Sequence, residues 1–169
     1  MIKGQYVDLR VIDKDDEYIL KGWASDEEVC KFIPTVFPNR QLFIKNGLLG
    51  VYSDKSSINL LIQIEDDVPI GICSLYNIDF VSSIAEISVT IYAKNCWGRG
   101  YGFDALKTLT EYGLYEINLH TIYSNIIEDN ERAIKCFEKA GYEKEGMLFE
   151  RLYKDGCYKN LVSMSIVKK

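Results

Sequence analysis

Three glycines, Gly98, Gly100 and Gly102, alternate with other residues between a run typical of a strand and a run typical of a helix. Glycine adopts positive φ angles without strain and lets a ligand approach the backbone closely. The first turn of a helix offers N–H groups without partners inside the helix, at the positive end of the helix dipole. A strand, a glycine loop and a helix start in this order predict a site for an anion such as a diphosphate.

The glycine spacing separates this loop from better-known phosphate loops. It lacks the Lys-Ser or Lys-Thr end of a P-loop, and it reads Gly-x-Gly-x-Gly rather than the Gly-x-Gly-x-x-Gly of a dinucleotide fold. A plain turn is the alternative, because glycines also mark turns that bind nothing. The segment from Trp97 to Gly102 resembles the acyl-CoA loop of the GNAT family of N-acetyltransferases, Gln/Arg-x-x-Gly-x-Gly/Ala. Trp97 takes the first position, as it often does in the subgroup of ribosomal-protein N-terminal acetyltransferases.

A second motif lies about 30 residues further along the chain. Asn130-x-x-Ala133 and then Phe137-x-x-x-Gly-Tyr resemble the same family's Asn-x-x-Ala/Ser and Phe/Tyr-x-x-x-Gly-Phe/Tyr. The Glu-Gly pair at Glu145 and the Asp-Gly pair at Asp155 also match that subgroup and its spermidine-acetylating relatives. Two motifs in the family's order, with a strand between them, indicate the family far more strongly than either motif alone.

The resemblance implies a single domain over residues 1–169 with the GNAT fold, which belongs to the α+β class. It implies a central mixed, mostly antiparallel sheet of seven strands, flanked by about four helices and splayed at the strand that ends near Tyr92. Hydrophobic patterns predict strands at 5–12, 58–64, 68–76, 84–92 and 121–127, and a final hairpin of 145–153 with 158–167. They predict helices at 17–23, 26–33, 39–49 and 103–117, and a last helix that is capped by Asp129 or Asn130 and stops at Gly141.

The family chemistry is the direct transfer of an acetyl group from acetyl-CoA to a primary amine. A protein N-terminal amine or a polyamine is favoured as acceptor, and an amino sugar or an aminated drug remains open. A non-catalytic acyl-CoA-binding or regulatory domain is an alternative from another class. A nucleotide-binding redox domain is disfavoured, because residues 56–92 predict consecutive strands rather than strands alternating with helices.

The resemblance also implies which residues hold acetyl-CoA. Backbone N–H groups of residues 98–103 would bind the diphosphate, and the strand end would pair with the amides of the pantetheine arm. Ordinary sheet pairing is the alternative for that strand end. The expected cofactor-binding residues are Thr90, Ile91, Tyr92, Trp97, Gly98, Arg99, Gly100, Tyr101, Gly102, Phe103, Asn125, Asn130, Ala133 and Phe137.

Two residues are candidates for proton transfer. Glu86 is the candidate base, because relatives often carry Glu on this strand, yet it lies one residue further from Trp97 than is usual. A bulge would absorb the extra residue; otherwise Glu86 is a solvated or salt-bridged strand residue. Many relatives have Tyr where this chain has Phe137, so protonation of the leaving thiolate falls to Tyr101, to a water, or to no group.

Aromatic residues near the N-terminus are candidates for the amine pocket, which the first two helices shape in such enzymes. These are Trp23, Phe32 and Phe37, and core packing is the alternative for all three.

The composition excludes several other classes. A net charge of −5 argues against a nucleic-acid partner. No signal peptide or membrane-spanning apolar run is evident. Five widely spaced cysteines without metal-ligand spacing predict reduced thiols, no metal site and a cytoplasmic location. The sequence leaves a homo-oligomer open.

Overall fold

The computed structural model describes residues 1–23, 26–33 and 56–169. Within these ranges eight strands form one sheet. The strands are β1 Ile2–Lys3, β2 Asp8–Val11, β3 Ile58–Ile64, β4 Val68–Asp79, β5 Ile84–Ile91, β6 Thr121–Ile127, β7 Glu143–Lys154 and β8 Cys157–Val167.

The sheet has the order β1-β2-β3-β4-β5-β6-β8-β7, with β5 and β6 parallel and every other neighbouring pair antiparallel. This confirms the mixed, mostly antiparallel architecture. The predicted count of seven strands is wrong by one. Residues Ile2–Lys3 form a two-residue edge strand, too short to show a periodic pattern, and a turn closed by Gly4 N donating to Val7 O at 2.8 Å delays β2 until Asp8.

Four α-helices lie in the described part of the chain: α1 Glu17–Trp23, α2 Glu27–Cys30, α3 Tyr101–Glu111 and α4 Glu131–Lys139. Helix α3 is shorter than predicted at its end, because residues Tyr112–Glu116 continue as one π-helical turn. Of the two candidate caps of α4, Asn130 is the cap, since its side chain accepts from the N–H of Ala133. The predicted helix at 39–49 and the candidate Phe37 lie outside the described residues. None of the helices described is both long and apolar enough to cross a membrane.

The two faces of the sheet are buried by different elements. Leu60 and Ile62 belong to the large core that includes Leu106 and Leu109 of α3, whereas Leu61 packs with Leu20 of α1. Alternation along β3 therefore sends one set of side chains to α3 and α4 and the other to α1. The face that carries α1 also holds a small cluster of Ile127, Leu152 and Leu161.

A buried carboxylate fixes the start of α3 to the N-terminal turn. Asp104 is 6% exposed and accepts three backbone N–H bonds, from Gln5 at 3.1 Å, Tyr6 at 2.6 Å and Val7 at 3.0 Å. The three donors have no helix or strand partner at this turn, so the carboxylate satisfies groups that would otherwise be costly to bury.

We expect Asp104→Asn to lower the free energy of unfolding by about 1–3 kcal/mol, because the amide turns an N–H donor toward backbone donors. Urea denaturation measures the change. Glu111→Gln is the control, since Glu111 sits on the same helix in an exposed 3.8 Å pair with Lys107 and should change stability by less than about 1 kcal/mol. Equal losses in the two variants would contradict this role for Asp104.

Candidate active site

A cleft of about 640 Å³ opens beside the glycine loop, between the end of β5 and the first turns of α3 and α4. Segment 28–33 of α2 and its C-terminal turn also borders it. The predicted residues that line it are Phe32, Thr90, Ile91, Trp97, Gly98, Gly100, Tyr101, Gly102, Phe103, Asn130, Ala133 and Phe137. The fold thus brings residues of the two sequence motifs to one cavity.

The glycine loop has the backbone shape expected of an anion site. Gly98 and Gly100 have φ angles of +74° and +88°, and a Cβ added at either would meet nothing within 4 Å. The positive φ therefore selects glycine there, and the space beside the backbone stays open. Gly100 caps α3 without a side chain, so the first-turn N–H groups remain available to a bound anion.

The sheet parts along one side of the cleft. Strands β5 and β6 pair only from Ile84↔Thr121 to Glu86↔Tyr123, whereas β5 continues to Ile91. Its pairing with β4 remains regular as far as Gly71↔Ile91. The predicted splay is therefore present. On the edge that faces β4, the end of β5 is paired in the ordinary way. On the edge that faces β6, residues 87–91 have no strand pairing.

Trp97 ties the loop to the strand. Its indole N–H donates to the carbonyl of Ile91 at 2.8 Å, and the Arg132 guanidinium lies 4.5 Å from the centre of its ring. A cation over an indole face is attracted by the ring quadrupole. Trp97 thus links β5, the glycine loop and the first turn of α4. Arg99, predicted beside it, is exposed and lies outside the cleft lining.

Glu86 does not line the cleft. Its carboxylate accepts from the side-chain amides of Asn77 and Asn125, each at 3.2 Å. Asn125 likewise lies outside the cleft lining, and its side chain donates to Glu86. The bulge considered for β5 is absent, because pairing with β4 is regular from Glu86 to Ile91 and the irregularity falls in β4 after Tyr76. Glu86 consequently faces the side of the sheet opposite to buried Ile87.

Many relatives have a tyrosine, a possible proton donor, at the position of Phe137, and the phenylalanine ring has no proton to donate. This ring is buried edge-to-face against Tyr142, with centroids 4.9 Å apart. The Tyr142 hydroxyl shares a 2.8 Å hydrogen bond with Thr110, and burial raises the pKa of Tyr142, so that phenol keeps its proton. Tyr101 is the one tyrosine among the described residues that line the cleft.

The predicted acceptor residues lie in two places. Phe32 lines the cleft and is 39% exposed. Trp23 instead stacks on Tyr92, with centroids 5.0 Å apart and planes 7° apart, and neither ring lines the cleft. The stack joins the end of α1 to the residue after β5, and burial raises the pKa of Tyr92.

Sequence reasoning named Phe32 in the part of the cleft formed by α2 and its C-terminal turn, but it missed the other residues there. Glu28, Val29 and Ile33 line it, and Lys94 just before the loop pairs with Glu28 and Asp26 at 3.0 Å each. Hydrogen bonding to the two carboxylates raises the pKa of Lys94. The acidic helix start at 26–28 was the available signal, but a long-range partner for it cannot be found from spacing alone.

Metal ligands and cysteine thiols are the other groups that could carry acyl-transfer chemistry in the cleft. In the described ranges no cluster of three or more His, Cys, Asp or Glu side chains is arranged to hold a metal ion. Cys136 lines the cleft, but burial raises the pKa of its thiol, which disfavours the nucleophilic thiolate.

Comparisons with known proteins identify the family of this chain. The family described as "Acetyltransferase (GNAT) domain" matches residues 7–143. The chain is 26% identical to the uncharacterized N-acetyltransferase p20 of Bacillus licheniformis, over 95% of this chain and 92% of that protein. It is 31% identical to the spermidine N(1)-acetyltransferase of Escherichia coli K12, over 57% of this chain and 51% of that protein.

A similar fold occurs in the crystal structure of the spermidine N-acetyltransferase from Vibrio cholerae in complex with CoA and spermine. The TM-score is 0.82 at 21% identity, covering 96% of this chain and 95% of that one. The family match, which spans both motifs, confirms the resemblance first seen in the glycine loop. The chain therefore belongs to the GNAT acetyltransferase family and is an N-acetyltransferase that moves the acetyl group of acetyl-CoA to a primary amine.

Proposed function

We propose that the acceptor of this enzyme is a polyamine. The observation that carries the proposal is the position of Glu86, whose carboxylate stands on the sheet face away from α3 and α4 at the point where β5 and β6 begin to part. A carboxylate at this point attracts a cationic amine. The likeness to a spermidine acetyltransferase, together with the carboxylates of Asp26 and Glu28 near the cleft, supports the same acceptor class.

The N–H groups of residues 98–103 hold the diphosphate of acetyl-CoA, with Arg132 adding positive charge nearby. The β6-facing edge of β5, residues 87–91, offers about 16 Å of extended backbone to the pantetheine amides. This edge leads from the glycine loop back toward Glu86. Acetyl-CoA supplies the acetyl group as a thioester.

Glu86 orients the amine and takes the proton released as the new C–N bond forms and the C–S bond breaks. Tyr101 at the start of α3, or a water beside it, returns a proton to the leaving thiolate. Phe137 packs at the cleft without taking part in proton transfer.

The five cysteines are free in the structure, which supports a reducing compartment such as the cytoplasm. A homo-oligomer stays a prediction.

A thiol-release assay with acetyl-CoA tests the acceptor. Spermidine and spermine should give the highest kcat/KM, above a peptide with a free N-terminal amine and above an amino sugar. Thiol release with the peptide or the amino sugar alone would overturn the polyamine proposal and leave the family assignment intact.

Gly100→Val should weaken CoA binding at least about tenfold, or about 1.4 kcal/mol, because its side chain enters the open space beside the loop. Isothermal titration with CoA measures this. Gly156→Val is the matched control: Gly156 has a φ of +80° and equally open surroundings, but it lies in the β7–β8 turn. Similar CoA affinity in the two variants would count against the loop as the diphosphate site.

Glu86→Gln should lower kcat by about 10²- to 10⁴-fold, the range that general bases contribute, with little change in the Kd for CoA. Steady-state kinetics and CoA titration separate the two effects. Glu145→Gln serves as control, because that carboxylate accepts from Ser165 Oγ at 2.7 Å and lies outside the cleft lining. A Glu86→Gln variant with the kcat of the parent enzyme would show that Glu86 has only a structural role.

A further inference from the structure

A buried lysine at the end of β7 contacts the helical turn that borders the cleft. Lys154 is 5% exposed, and its ammonium group donates to the carbonyl of Cys30 at 2.9 Å and to that of Ile33 at 3.0 Å. Carbonyls at the C-terminal end of a helix lie at the negative end of its dipole, where a cation is favourable. Lys154 therefore caps the C-terminal end of α2 from a position more than 120 residues away in the chain.

Helix α2 needs such support because it is only four residues long, and helices this short are not stable by themselves in water. Near its start, Lys94 pairs with Asp26 and Glu28, but the three side chains are between 30% and 64% exposed. Ion pairs as exposed as these contribute little to stability, whereas hydrogen bonds from a buried charged group contribute more. The Lys154 contacts are thus the stronger constraint on where α2 ends.

The segment that Lys154 holds forms part of the cleft. Residues 28–33, which we call the α2 wall, include Val29, Phe32 and Ile33 among the cleft lining. Phe32 directly precedes Ile33, whose carbonyl accepts from Lys154. A shift of this turn would therefore move the Phe32 ring relative to the glycine loop.

The α2 wall belongs to the side of the sheet that carries Glu86. Alternation along the end of β7 places Lys154 on the same face as Leu152, which clusters with other apolar side chains on the face that carries α1. The N–H of Asp26 donates to the carbonyl of Trp23 at 3.1 Å, so α2 follows directly from the end of α1. Under the proposed function, this is the side from which the amine arrives.

We propose that Lys154 is a positioning residue that fixes the α2 wall at the amine side of the cleft. It acts through Phe32 and its neighbours and does not itself touch the reacting groups. The inference rests on the proposed function for the identity of the amine, which it takes to be a polyamine. A wall that contacts the amine equally in the ground state and the transition state affects KM rather than kcat.

Lys154→Met tests the proposal, because it keeps a long unbranched side chain and removes the charge and the N–H donors. We expect the KM for spermidine to rise about tenfold, which is the effect of one lost contact on affinity. The kcat should stay within about threefold and the Kd for CoA within about twofold, because the diphosphate is held by the glycine loop. Steady-state kinetics and isothermal titration with CoA measure the three quantities.

A double-mutant cycle with Phe32→Ala separates positioning from a general loss of stability. In the Phe32→Ala background, Lys154→Met should raise the KM for spermidine by less than about twofold further, since residues that act through one another are not additive. Amide hydrogen exchange gives a readout apart from activity. The N–H groups of Cys30, Lys31 and Ile33 are bonded within this segment, and they should exchange faster in Lys154→Met.

Lys144→Met is the matched control, because Lys144 lies on the same strand and pairs with Glu138 at 3.1 Å in an exposed position. It should change neither the KM for spermidine nor hydrogen exchange in residues 28–33. Should Lys154→Met fail to fold, Lys154→Gln is a milder change that keeps N–H donors on a shorter, neutral side chain, and it should raise the KM in the same direction by a smaller factor.

A parental KM in a folded Lys154 variant would overturn the positioning role, as would a KM increase that is equally large in the Phe32→Ala background. A loss of CoA affinity without a change in the KM for the amine would overturn it as well. An enzyme that acetylates a peptide or an amino sugar and not spermidine would overturn the polyamine proposal alone. The KM for that other acceptor would then test Lys154 in the same way.

Discussion

The parting of β5 from β6 is the constraint on which the rest of the site depends. Each strand is paired on its other edge, β5 with β4 as far as Ile91 and β6 with β8 along its whole length. Neither strand can close the gap by shifting without losing that pairing. The N–H and C=O groups that face the gap need partners, because unpaired backbone groups away from water are costly. A ligand arm that carries its own amides suits such an opening, and this is what the pantetheine arm of acetyl-CoA provides.

Side chains from distant parts of the chain hold the opening in place. The indole N–H of Trp97 donates to the carbonyl of Ile91, which fixes the end of β5 to the loop. The backbone N–H groups of Tyr92 and Ala93 both donate to Ile70 O, which fixes the same end to β4. At the closed end, Glu86 of β5 accepts hydrogen bonds from Asn77 of β4 and Asn125 of β6. The open stretch is therefore bounded at both ends by specific hydrogen bonds, and its length is set by the strand between them.

The features that the sequence predicted correctly are those fixed by local chemistry. The glycine loop needs positive φ angles at Gly98 and Gly100, and the Asn130 cap needs a side-chain acceptor beside the first turn of a helix. The direction of Glu86 was not predictable in this way, because it depends on the pairing of three strands and on a bulge in β4. The Lys94 contacts with α2 likewise join residues 66 or more positions apart, which no local pattern encodes.

The sheet also separates two opposite electrostatic tasks. On the side of α3 and α4, helix-start N–H groups and the Arg132 guanidinium favour an anion, although the whole chain carries a net charge of −5. On the other side, Glu86 favours a cation. Charges interact over short distances at physiological ionic strength, so local groups rather than the net charge decide what each side attracts. Under the proposed function, the acyl donor and the amine approach from opposite faces and meet where the two strands part. Under the proposed function, the Glu86 carboxylate is held there by the amides of Asn77 and Asn125 and receives the proton of the amine.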